Sequence, residues 1–399
     1  DIDEELCIKL HSDATDAIIK NKLFEYPEFN EVMMQFHRII MEINYPSDSF
    51  DAIYNNDLDV KRSFDSNNIF IGIYISGFYG AENKFIDNKN ISYVSFDPFV
   101  KSIGSFFNCS LLEQVKIPSS VYEIGDCSFK SCSSLKQIII PSSVTKIGDN
   151  AFDECTSLTQ IIIPSSVIDI GKNSFIGCSK LQKVTINASI TLIKEGTFKS
   201  CISLTQVQIP NTVISFEHNV FFGCSSLKGI IIPSCTESIG YNCFYNCSSL
   251  EQIKIPSSTV EIGMNAFYGC NSLKQATFDV NSKITLIGEG AFMGCSLLTH
   301  MAIPYYLTTI NSGTFSNCLS LAHISIPSSV TSINEGAFSS CSSLKQVTLP
   351  SSIYSIKEGA FSGCSLLEKI NIPFSVREIG VGTFCNCKSL KSITIPSSI

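Results

Sequence analysis

Leu135-Lys-Gln-Ile138-Ile-Ile140-Pro141-Ser-Ser-Val144-Thr-Lys-Ile147-Gly148-Asp-Asn-Ala151-Phe152-Asp-Glu-Cys155 is the stretch that decides how this chain folds. Ile138 and Ile140 stand two apart, so an extended backbone sends both to one face. Pro141 has no N–H to give a ladder and stops the strand there. Ser142 and Ser143 offer hydroxyls to nearby backbone groups. Val144 and Ile147 form a second apolar pair, and Ala-Phe-x-x-Cys closes the unit.

The same pattern runs through most of the chain. Thirteen cysteines, from Cys109 to Cys387, recur every 23 residues, with one interval of 25 between Cys270 and Cys295. A phenylalanine stands three residues before each and a leucine three after. A fixed period of this length is the signature of a solenoid, in which no unit can bury its apolar residues without its neighbours. In the unit that starts at Cys341, Val347 and Leu349 alternate with Gln346 and Thr348, one pair inward and one outward. Too few residues remain per unit for an ordinary helix, so a short second strand or a helical turn is expected on the far side. Gly148, Gly263 and Asn334, after the second apolar pair, are expected to turn the chain in a left-handed conformation. Phe85, Asn88, Ile91, Val94, Phe96, Val100 and Ile103 fill the slots of a degenerate first unit. At the other end, Leu390 to Ile395 reads as an uncovered last strand.

Residues 1–84 do not follow the repeat. Phe29, Val32, Met33, Phe36, Ile39, Ile40 and Ile43 have helical spacing, which predicts a helix over 28–44 between Pro27 and Pro46. Residues 4–20 and 49–62 are weaker helix candidates, and Ile69 to Ile75 reads as a strand. This segment is expected to be an acidic, partly helical cap on the first units, or else a separate partner-binding domain. The expected division is therefore a cap over 1–84 and a solenoid of about fourteen units over 85–399, the last one cut short.

Composition narrows the function. The chain has 44% apolar and 16% charged residues and a net charge of -8, enough apolar content for a large core. Residues 1–100 carry a net -10 and residues 101–399 a net +2. An acidic head and a near-neutral body lack the basic stripe that nucleic acid requires. No apolar run is long enough to span a membrane. The first residue is Asp1 and the last, Ile399, falls within a repeat, so an export signal or anchor is expected to lie outside this chain if the protein is exported.

Leu-x-x-Ile/Val-x-Ile-Pro-x-x-Val-x-x-Ile-Gly-x-x-Ala-Phe-x-x-Cys, intact from Leu135 to Cys155, resembles the BspA-like leucine-rich repeats, the 23-residue or Treponema-type class. The resemblance covers 85–399. It implies an α/β right-handed leucine-rich-repeat solenoid with a parallel concave sheet. It also implies adhesion and surface recognition, often of host matrix proteins. Thr236 and Thr259 depart from the apolar slot after the serine pair, and Phe278 to Ile284 carries a two-residue insertion.

Catalytic chemistry finds no support in the sequence. No nucleophile–base pair, phosphate loop or metal motif occurs, so no enzyme and no cofactor is expected. A straight column of cysteines does not converge as a tetrahedral zinc site must. It reads as a row of buried free thiols acting as small hydrophobes. His300 and His323 occupy one slot in adjacent units, as an outward pair or a surface metal patch. The outward slots of the concave sheet are the candidate protein-binding residues: Gln137, Ile139, Gln160, Ile162, Lys183, Gln206, Gln208, Ile231, Gln252 and Lys254. Exposed isoleucines flanked by amides suit an extended partner, or serve strand propensity alone. The expected protein is a non-catalytic surface antigen or adhesin, on the cell surface or secreted. The alternative is an intracellular, cytoplasmic scaffold.

Overall fold

The structure is a computed structural model and describes residues 59–64, 70–76, 85–89, 91–96 and 100–399. The chain divides into two units, Asp1–Val60 and Lys61–Ile399. The second is a solenoid of parallel strands, and the rung from Cys155 to Cys178 shows how it is built.

Leu158, Ile161 and Ile163 point inward and are fully or almost fully buried, whereas Gln160 and Ile162 point outward. Strand Gln160–Ile163 pairs in parallel with Lys183–Ile186 of the next rung, residue for residue. Pro164 ends it, and its carbonyl accepts the Val167 N–H across the turn (3.2 Å). Ser166 Oγ donates to the Val144 carbonyl of the preceding rung (2.7 Å). Seven further hydroxyls at the equivalent slot do the same between Ser120 and Ser398, whereas Ser375 Oγ in that slot is buried without a partner. The two-residue strand Asp169–Ile170 then pairs with Lys146–Ile147.

The remaining arc is made of turns. Asn173 (φ 53°) and Gly177 (φ 71°) are both left-handed, and such pairs, four residues apart, recur along the solenoid as Asn, Gly or Ser, with Cys127 and Glu154 as exceptions. A left-handed residue costs an L-amino acid roughly 1–2 kcal/mol and breaks an α-helix. Across this arc the N–H groups of Asn173, Phe175 and Gly177 donate to carbonyls of the following rung at 2.8–2.9 Å.

Two faces result. On one, long strands form three sheets: 59–64, 70–76, 93–96 and 114–116; then 160–163, 183–186 and 206–208; then six strands from Gln252–Ile255 to Lys369–Asn371. On the other, two-residue strands also form three sheets, with breaks between Ile170 and Leu192 and between Ile287 and Thr309. Between the faces lies the phenylalanine spine. From Phe85 to Phe384 successive rings stack at 5.1–5.9 Å with interplanar angles of 3–14°. Phe85, Ile91, Val94, Phe96, Val100 and Ile103 are buried in the slots expected of a degenerate first unit.

Several expectations are corrected. The described residues contain no α-helix, so the architecture is a parallel β-solenoid rather than α/β. The arcs are too short, and too often interrupted by left-handed residues, to hold one. The helical cap is not supported: Asp59–Phe64, which overlaps the candidate over 49–62, is a strand joined to Phe70–Ser76. Sheet pairing outweighs the weak helical spacing there. The strand expected at 69–75 is found at Phe70–Ser76 and pairs in parallel with Tyr93–Phe96. The helices expected over 4–20 and 28–44 lie outside the described residues. Residues 390–395 form no strand.

Gly148, Gly263 and Asn334 are not left-handed. That conformation sits two positions later, at Asn150, Asn265 and Gly336. Gly148 is needed for a different reason: a Cβ there would overlap Asp126 and the Gly125 backbone of the preceding rung. Thr236 and Thr259 are buried in an apolar slot but donate to the carbonyls of Val213 (3.0 Å) and Thr236 (2.9 Å), so neither hydroxyl is stranded.

Candidate interaction surface

The long-strand face displays the outward slots in register. Gln160, Lys183 and Gln206 are direct cross-strand partners, as are Ile162, Thr185 and Gln208. Gln252 and Lys254 pair with Gln275 and Thr277 in the third sheet. All ten candidate residues, Gln137, Ile139, Gln160, Ile162, Lys183, Gln206, Gln208, Ile231, Gln252 and Lys254, are exposed. Most are outward because a neighbour in sequence fills the core, as Ile253 does between Gln252 and Lys254, whereas Val207 between Gln206 and Gln208 is half-buried.

Three isoleucines dominate the face. Ile139 is 81% exposed, Ile162 56% and Ile231 84%. Ile139 and Ile162 lie on successive rungs. Ile231 is separated from them by the rungs of Thr185 and Gln208, so the face holds an apolar pair and an apolar outpost. The long-strand ladder is interrupted at the rungs of Ile139 and Ile231, where one sheet ends and the next has not begun. The most exposed apolar side chains thus stand where the ladder is weakest. Around them the surface is amide-rich with scattered lysines. Ion pairs run between rungs: Lys136–Glu113 at 2.8 Å, Lys274–Glu251 at 3.1 Å and Lys254–Asp279 at 2.7 Å. Such exposed pairs contribute little to stability but set the charge pattern a partner meets.

His300 and His323 are cross-strand partners, as their shared slot implied. Among the described residues no three metal-ligating groups converge. The cysteine column is made of free thiols, buried from Cys109 to Cys364 and half-buried at Cys387. Each thiol does more than fill space. Cys178 Sγ donates to the Phe152 carbonyl of the preceding rung (3.1 Å), and Cys224 to that of Phe198 (3.2 Å). The same carbonyl accepts the backbone N–H of the cysteine three residues on, as Phe152 O does from the Cys155 N–H at 3.2 Å. Burial pushes the Cys109 thiol from 9.0 up to about 11 and those of Cys318 and Cys364 up to about 12. Cys155 and Cys201 are raised well above 9.0 by the same desolvation. Protonated thiols of this kind are poor nucleophiles and poor metal ligands.

One feature of the surface was not anticipated from the repeat. An open cavity of about 480 Å³ adjoins the inserted residues of the 270–295 rung and includes His300, Tyr305 and Tyr306. The signals were the insertion itself and Tyr305-Tyr306, which replaces the usual serine pair one rung later. They stand about 25 residues apart in sequence, and only the stacking of rungs brings them together.

Comparison with known proteins places these features in context. Residues 100–228, 192–312 and 285–399 match the BspA type leucine rich repeat region, in six copies overall. Among solved structures, a leucine-rich repeat protein from Bacteroides ovatus is 27% identical and covers 88% of this chain and 96% of its own, with a TM-score of 0.76. A leucine rich cell surface protein from Faecalibacterium prausnitzii is 26% identical and covers 87% of this chain and 95% of its own, with a TM-score of 0.44. No curated protein matches the chain.

Proposed function

The chain belongs to the BspA-type leucine-rich repeat family, and from that premise we propose that it recognises proteins without catalysis through its long-strand face. The observation that carries this reading is Ile139, Ile162 and Ile231, exposed on a regular surface of amides and lysines. Exposed apolar side chains ringed by hydrogen-bonding groups match the core and rim of protein interfaces. The stacking of rungs fixes their spacing, so an extended partner would be read rung by rung. The finer reading is a surface antigen or adhesin that contacts host or matrix proteins, supported by family membership. No helix among the described residues is long and apolar enough to cross a membrane.

The test uses the whole chain against purified fibronectin, laminin and collagen by surface plasmon resonance. Binding to at least one is expected. The triple variant Ile139→Asp/Ile162→Asp/Ile231→Asp should weaken it by about tenfold or more while its thermal melt is unchanged. Unchanged affinity in the folded variant would remove the long-strand face from the mechanism. Labelling of intact cells with a membrane-impermeant biotin reagent decides location. Protection from that reagent would favour the intracellular scaffold, which the free thiols throughout the described residues also suit.

A further inference from the structure

We infer that the cavity at the inserted rung is a binding site for a neutral sugar, on the long-strand face but apart from its three exposed isoleucines. Four departures from the repeat coincide there. Phe278-Asp279-Val280-Asn281-Ser282-Lys283-Ile284 carries the two extra residues and lacks the strand-ending proline. Strands Gln275–Phe278 and His300–Ala302 share one registered pair, Gln275 with His300, where neighbouring long strands share three or four. The short-strand ladder breaks between Ile287 and Thr309. Lys283 and Tyr306 occupy the slot from which serines elsewhere donate to the preceding rung. Long-strand pairing thins at this place, and aromatic side chains line the opening.

The cavity measures about 480 Å³, inside the roughly 300–1,000 Å³ usual for small-molecule sites. Phe278, Tyr305 and Tyr306 supply its aromatic walls, the two tyrosine rings edge to face at 5.8 Å. Asn281, Ser282 and His300 supply polar groups. Ser282 Oγ is buried without a hydrogen-bond partner, and a rotation about χ1 would turn it toward a ligand hydroxyl. His300 Nδ1 is engaged by Thr299 Oγ1 (3.0 Å), which leaves Nε2 as the ring's remaining polar atom.

The charge balance selects the ligand. Asp279, the one carboxylate among the described residues lining the cavity, is already paired with Lys254 at 2.7 Å. An ammonium ligand would find no free anion among them, and a phosphate no free cation. A pyranose presents an apolar C–H face to an aromatic ring and a rim of hydroxyls that both donate and accept. Tyrosine rings beside an amide, a hydroxyl and an imidazole complement both surfaces.

The test is saturation-transfer NMR with the whole chain and free glucose, galactose, mannose and N-acetylglucosamine at millimolar concentration. At least one should bind. Tyr306→Ala should weaken it by about tenfold or more, and Asn281→Gly, which removes an exposed amide and keeps the left-handed torsion of that residue (φ 62°), serves as the second variant if Tyr306→Ala fails to fold. Tyr354→Ala, an exposed tyrosine elsewhere on the solenoid, should bind as the parent does. The triple isoleucine variant should also keep its sugar binding, so failure of one site leaves the other readable. The proposal is overturned if none of the four sugars binds, or if Tyr306→Ala and Asn281→Gly leave binding unchanged. It is equally overturned if tetramethylammonium or a proline-rich peptide occupies the site in their place.

Discussion

Phe267 sits between Phe244 and Phe292 with ring centroids 5.2 and 5.1 Å away, and no part of it reaches solvent. Its carbonyl is as fully engaged as its ring, for it accepts the Cys270 N–H at 3.2 Å and the Cys295 thiol at 3.3 Å. One residue therefore joins its own turn and the next rung by backbone and stacking together. Truncation removes the ring from both neighbours, and neither can collapse into the gap because each is held by its own rung. Phe267→Ala should cost about 3–5 kcal/mol in denaturant melts. A loss below about 1 kcal/mol would mean that the spine is not the core of the fold. The same carbonyl also revises what the cysteine is for. Its size was readable from the sequence, but its bond to the preceding rung depends on where that rung sits.

At the scale of one rung, two kinds of glycine divide the work. Gly336 is left-handed (φ 58°), and a Cβ added there meets nothing nearer than Ser339 Cβ at 3.7 Å. Gly148 has no such torsion, yet its Cβ would overlap the preceding rung. Gly336→Ala should thus cost about 1 kcal/mol from torsion alone. Gly148→Ala should cost more, about 2–3 kcal/mol, because two rungs must move apart. Thermal melts of the two variants rank them, and the reverse order would refute this division of roles. The sequence could not separate these glycines, since both stand at turns and their difference is the distance to another rung. The period, the inward Leu-x-x-Ile-x-Ile residues and the phenylalanine column were legible because each is local to one unit. The outward candidates were legible for the same reason, by alternation around Ile161 or Ile253. The breaks in the ladder at Ile139 and Ile231, and the meeting of Ser282 with Tyr305 and Tyr306, were not. They depend on how unlike neighbours stack.

Over the whole solenoid, the buried thiols make stability a function of pH. An unfolded thiol ionises near 9.0, whereas burial holds Cys109 protonated to about 11 and Cys318 and Cys364 to about 12. The folded pKa lies above the unfolded one, so the unfolded chain binds fewer protons between the two values. Stability is then fully present below pH 9 and falls as pH rises through this window. Each thiol that unfolds with a cooperative block removes about 1.4 kcal/mol per pH unit. Rungs interact with their nearest neighbours, so the slope counts how many unfold together. Five rungs acting as one block would lose roughly 7 kcal/mol per pH unit. Glu123 holds the Lys146 ammonium above its usual 10.5, so what that pair contributes is lost mainly above the interval in which the cysteines act. Urea melts in reducing buffer from pH 8 to 10.5 should therefore show a plateau and then a steep fall beginning near pH 9. Cys224→Val should lessen the slope by one thiol's share while leaving the onset in place. A stability that stays level to pH 10.5 would show that the cysteine ladder is not sealed from water.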